Sequence, residues 1–278
     1  GLYTGLKTTI AKKEEDTMAQ KTSELAVKAE GGSVAVISDD LLEYGTGLEN
    51  VTTDDTSIPY LTILQALSPQ LNKNDGKYIQ GAEQGNLFNT GLEDIYDGDV
   101  GALVVPCFYQ KRYVEWVPRE NGGGKVQDHM SKDIFAQCTK NDRGQFILEN
   151  GNQIVETAYF YVIICTEDES EWSTAVIGMS SSQLSKAKKW VMQLQARKIE
   201  RNGKLENAPM FAYKYRVKTK SEQNDRGSWY GYSIGLEGST TNVEIMREGK
   251  KLLGMVKSGE VSIKEETESD ELNDDVPF

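Results

Sequence analysis

The sequence predicts a mainly β fold with a few added helices, on three observations. Five runs rich in Val, Phe, Tyr and Trp, at residues 100–117, 153–165, 171–179, 210–220 and 228–236, are each bounded by Gly, Asn, Asp or Ser clusters. Two other stretches repeat apolar residues at intervals of three and four, as a helix does. The runs are longer than the short, evenly spaced strands of a sandwich, and a helix interrupts them. Together these features point to an OB-type five-stranded barrel whose strands continue past it as extended hairpins.

Taken in order, residues 1–55 hold eleven acids and five bases, few aromatics, and breaks at Gly31-Gly32 and Gly45-Thr46-Gly47. Such a segment has too little to bury and reads as a mobile acidic arm. Met18 is a candidate natural start, and Val34-Ala35-Val36-Ile37 is a short apolar patch available for docking. Order is expected from Ile58, where Leu61, Leu64 and Leu67 share a helical face, Asp54 or Asp55 caps, Pro59 fits a first turn and Pro69 stops the pattern. After the first strands, Ser180, Ser181 and Ser182 offer N-caps to a helix over 183–200 with Leu184, Ala187, Val191 and Leu194 on its apolar stripe. A second helix is expected over 242–256, with Val243, Met246, Leu253 and Val256 as apolar members. The folded domain is thus placed at 56–257 and a disordered acidic tail at 258–278.

The net charge is −12 and the pI about 4.8, which would naively exclude nucleic acid. The acid, however, sits at the ends. Residues 265–278 carry seven acids and no base, and the arm carries −6, which leaves +1 for residues 56–264. Within that body, residues 185–226 hold twelve bases and four acids, the strongest local charge in the chain.

Several functions find no footing. No apolar run reaches 18 residues and the N-terminus has no apolar signal core, so a cytoplasmic protein with no membrane partner is expected. Cys107, Cys138 and Cys165 are odd in number and widely spaced, which suits reduced thiols. His129 has no nucleophile beside it in sequence, and no C-x-x-C supports a zinc site from it and the cysteines. The acidic run 93–99 is compatible with a metal site but reads better as turn chemistry before a strand. No glycine–lysine phosphate cradle is present, and no catalytic residue, metal or cofactor is expected.

Binding to single-stranded nucleic acid needs cations along phosphates and aromatic faces under unpaired bases. Alternation over 210–220 puts Lys214, Arg216, Lys218 and Lys220 on one face and Phe211, Tyr213, Tyr215 and Val217 on the other. An edge strand guarded by lysines is the plainer reading, but four bases in alternate positions exceed what an edge requires. The run around Lys111, Arg112, Tyr113 and Trp116 forms either a stacking platform or an amphipathic strand burying one aromatic set. Trp229, Tyr230 and Tyr232 lie in a Gly-rich strand, where core packing competes with ligand approach. Lys186, Lys189 and Arg197 oppose the apolar stripe of the first long helix. The candidate DNA-binding set is therefore Lys111, Arg112, Tyr113, Trp116, Lys186, Lys189, Arg197, Lys214, Tyr215, Arg216, Lys218, Lys220 and Trp229.

The chain ends Asp274-Asp275-Val276-Pro277-Phe278, an apolar finish behind acids that reads as a docking peptide. This ending resembles the C-terminus of bacterial single-stranded-DNA-binding proteins. Residues 58–70, 85–90 and 104–119 in turn resemble a tailed-phage family described as single-stranded-DNA-binding. The resemblance implies a non-enzymatic protein of phage replication or recombination, coating single-stranded DNA and recruiting replication or recombination proteins through its tail. The same tail would compete for the DNA groove. A metal-dependent nuclease or recombination enzyme and a protein-only adaptor stand as alternatives, and oligomeric state is left open.

Overall fold

The computed structural model describes residues 57–261, Arg226 excepted, together with Ile263. The expected acidic arm and the acidic tail, with Asp274, Asp275, Val276, Pro277 and Phe278, lie outside the described residues.

Two long antiparallel strands form the spine, β4 (Ala102–Trp116) and β8 (Gln153–Cys165), in register from Leu103 opposite Cys165 to Trp116 opposite Gln153. Pro106 has no N–H to give to a central ladder, and it sits where the register shifts between Pro106 and Phe108. The proximal half of this spine is flanked by β9 (Trp172–Ser180) on β8 and by the hairpin β12 (Tyr213–Asn224) and β13 (Gly227–Ser239) on β4. Its distal half pairs instead with β5 (Lys125–His129) and, through β7 (Phe146–Ile147), with β6 (Thr139–Lys140). The result is a curled antiparallel half-barrel, mainly β, with few helices.

Alternation along the spine feeds two cores. Ala102, Val104, Phe160, Val162, Tyr215 and Val217 face one cluster, and Leu103, Val105, Tyr161 and Ile163 face the other. Helix α1 (Leu184–Gln195) closes the first with Ala187, Trp190 and Leu194, and the Trp190 ring stacks on Phe160 with centroids 4.2 Å apart. Helix α2 (Val243–Ser258) closes the second with Ile245 and Leu252. Its apolar stripe is offset from the expected one, leaving Val243 exposed. Asn242 caps α2 by accepting from Glu244 N, and Gly259 ends it at φ 75°. Beyond α2, Val261 and Ile263 still pack on the second cluster, where Ile263 bridges Ile58. Among the described residues, no helix is long and apolar enough to cross a membrane.

The helix expected over 58–70 is not formed. Residues Leu61–Ile63 are a strand, β1, antiparallel to β2 (Leu87–Asn89), which continues to β3 (Ile95–Tyr96). The reason is that both sides of this segment are claimed. Ile58 and Tyr60 enter the second cluster while Leu61 and Ile63 enter the first, a demand no single helical stripe can meet. Leu67, a member of the expected stripe, is 66% exposed. The first long helix also stops early, at Gln195, because Arg201-Asn202-Gly203-Lys204 turns a hairpin. Asn202 (φ 52°) and Gly203 (φ 73°) take the left-handed backbone of a two-residue hairpin loop joining β10 (Lys198–Arg201) to β11 (Lys204–Asn207).

The outer edge of β13 is covered by side chains rather than by a strand. Gln65 accepts from Tyr230 N and donates to Tyr230 O, and Gln183 accepts from Tyr232 N. Two glutamines thus blunt an edge that would otherwise template aggregation.

Candidate nucleic-acid interface

The basic alternation of β12 survives, but its first two cations are spent. Lys214 Nζ lies 2.5 Å from Glu169 Oε1, and Arg216 holds Glu167 through two contacts of 2.5 and 2.7 Å. Glu169 is 1% exposed and also accepts from the backbone N–H groups of Thr241 and Asn242, at the start of α2. Burial opposes its ionised form. The contacts from Lys214 and those N–H groups outweigh that and hold the carboxyl below its ordinary range. Lys218 and Lys220 further along are exposed, with no ion-pair partner among the described residues.

Helix α1 lies along the same hairpin. Lys186 near its N-terminus pairs with Glu222, which also accepts from Trp229 Nε1 at 3.0 Å. Arg197, just past its C-terminus, sits 6.0 Å from the ring centroid of Tyr213 and donates to Gln193 O. Between them Lys188 and Lys189 point outward, next to a 70% exposed Met192. The expected residues Lys186 and Trp229 are therefore brought together, and Lys189 is exposed on the helix between the two anchored ends, with no ion-pair partner among the described residues.

Three of the four expected aromatics are buried. Tyr215 is 1% exposed and packs edge-on against Trp190, with centroids 5.7 Å apart. Tyr113 and Trp229 are likewise buried, and Trp116 is half-buried against the second cluster. A ring with no open face cannot take a base. Over Tyr215 the covering element is α1, while Tyr113 belongs to the core of the distal half. On β4, Lys111 is 2.5 Å from Glu156, and Arg112 donates to Lys111 O.

The distal half has its own core of Tyr113, Ile134 and Ile154, with Phe135, Cys138, Phe146 and Leu148 packed on it. Between this core and the start of α1 the surface opens into a cleft of about 290 Å³, lined among others by Phe135, Phe146, Ser181 and Leu184. The sequence places Ser181 and Leu184 at a helix start but gives Phe135 and Phe146 no role. The stretch Lys140 to Phe146, with two bases, a glycine and an aromatic, was the available signal.

The other expectations resolve locally. Asp97 spends its carboxylate on the N–H groups of Asp99 and Val100, as turn chemistry requires. Cys107 lies in the second cluster and Cys138 against the distal core, and burial pushes both thiols up. His129 donates to the buried carboxylate of Glu115. No group of three or more potential metal ligands occurs among the described residues.

No curated protein and no solved structure matches the chain. A phage protein family does match, over residues 28–262. On that match, the chain belongs to the family described as Pam3 phage gp34-like proteins.

Proposed function

We propose that this phage-family protein binds single-stranded DNA without sequence preference, in phage replication or recombination. The five long strands of the eight-stranded curled sheet are read as an OB-type barrel left open on one side. The observation that carries the proposal is four exposed cations without acidic partners among the described residues: Lys188 and Lys189 on α1, Lys218 and Lys220 on β12. The paired cations Lys186, Lys214 and Arg216 hold the scaffold in place, and the unpaired ones meet phosphates. The acidic tail ending at Phe278 serves as a docking peptide for replication or recombination proteins. The chemistry is binding alone.

Fluorescence anisotropy with labelled oligo-dT over a salt series tests this. Four phosphates neutralised give a slope of about −2.8 for log affinity against log salt, so a fourfold rise in salt weakens binding about 50-fold. Reversing all four lysines to glutamate flattens the slope. A slope near zero in the native protein refutes the interface.

A further inference from the structure

The cleft beside α1 has the composition of a base-binding site. Phe135 and Phe146 present a tilted ring pair, with centroids 4.2 Å apart and planes at 32°, and Leu184 supplies apolar surface on the α1 side. Two cations stand on the distal side: Lys140 Nζ is 4.8 Å from the Phe146 ring centroid, and Arg143 lines the cleft with its side chain in no ion pair among the described residues. Of the nearby acids, Glu156 is neutralised by Lys111, while Asp142 offsets one positive charge in the turn. Polar groups are also on hand. Gln153 keeps its amide N–H₂, and Ser181, held at φ 48°, keeps its hydroxyl, unspent among the described residues.

Resting on the single-stranded-DNA reading, we infer that this cleft accepts one unpaired base of the bound strand. A base has an apolar face for the rings, a polar edge for Gln153 and Ser181, and an attached phosphate for Arg143 and Lys140. An aliphatic ligand would leave the amide and hydroxyl unanswered on burial. A cleft of about 290 Å³ is at the small end of ligand sites, which suits one base rather than a large cofactor. The cleft also reaches the start of α1, where Leu184 lines it one helical turn before the exposed Lys188.

The test uses the full chain with two strands of equal length, oligo-dT and its abasic sugar–phosphate analogue. The native protein should prefer oligo-dT by about tenfold. Gln153→Trp, which fills the cleft from a half-buried strand position, should abolish most of that preference while leaving abasic affinity within about twofold. Arg143→Glu, on an exposed turn where misfolding is not a concern, should weaken both strands. Photo-crosslinking of a 5-iodouracil-substituted strand should map to the peptide containing Phe146. If Gln153→Trp retains the preference and crosslinks fall elsewhere, the cleft assignment is wrong and single-strand binding stands. If the native protein binds neither strand, the functional reading itself fails, and this inference with it.

Discussion

Acid should loosen the distal half of this protein through one residue, Glu115. Its side chain is 5% exposed and accepts hydrogen bonds from Asn152 Nδ2 (2.6 Å), His129 Nε2 (2.8 Å), Gln127 Nε2 (3.1 Å) and Asn150 Nδ2 (3.3 Å). Burial alone would push the carboxyl up. The four bonds, led by Asn152 and His129, overcome it and bring the group to about 2 from an ordinary 4.5. A carboxyl whose folded pKa lies below its unfolded value stabilises the fold above the unfolded pKa and loses that contribution as pH falls through the folded one. The contribution is about 3 kcal/mol above pH 6 and less than half of that at pH 3. Other acids in this protein also titrate low, Glu167 and Glu169 among them, so acid sensitivity by itself does not isolate Glu115. The substitution Glu115→Gln does, since an amide turns a donor toward four donors and cannot ionise. Urea unfolding of both proteins should show a gap of about 3 kcal/mol at neutral pH that narrows to about half or less at pH 3. A gap independent of pH, or none, would refute the assignment.

Tyr215→Ala should cost roughly 3–5 kcal/mol as a core truncation, while Tyr215→Phe should stabilise by about 1 kcal/mol, because the buried hydroxyl has no hydrogen-bond partner among the described residues. Thermal unfolding of both variants decides it, and an unaltered melting temperature for the alanine variant would return Tyr215 to the surface. Lys214→Ala strands the buried Glu169 carboxylate and should cost about 3–5 kcal/mol, whereas Lys218→Ala should change stability by less than about 0.5 kcal/mol and weaken DNA binding; chemical denaturation beside anisotropy separates them. Gly249→Ala sets helix propensity, a gain of about 1 kcal/mol, against a new Cβ 2.7 Å from Phe211 Cβ and 3.2 Å from Cys107 Sγ. Overpacking of about 1–3 kcal/mol should win, and a variant more stable than the native protein would contradict that.

Much of the architecture was legible because strand periodicity and turn residues are local. The run 153–165 coincides with β8, and the other four long strands fall within a few residues of expectation. The Asn202-Gly203 hairpin is a local signal of the same kind, and it limits the helix expected over 183–200. The alternation of β12 correctly separated its bases from Tyr215 and Val217. Which face would be covered was not in the alternation. Trp190 and the rest of α1 decide that, and they turn Tyr215 from a stacking candidate into core. Nor could composition show that Lys214 and Arg216 are neutralised, since their partners Glu169 and Glu167 stand 45 and 49 residues away. The cleft is of the same kind, assembled from Phe135 and Phe146 on one side and Ser181 and Leu184 on the other. The sequence by itself determined the β-rich class, the strand positions, the second helix and the segregation of charge, all properties of neighbouring residues. Tertiary structure alone decided burial, charge compensation and cavity, because each depends on what a distant segment brings against a face.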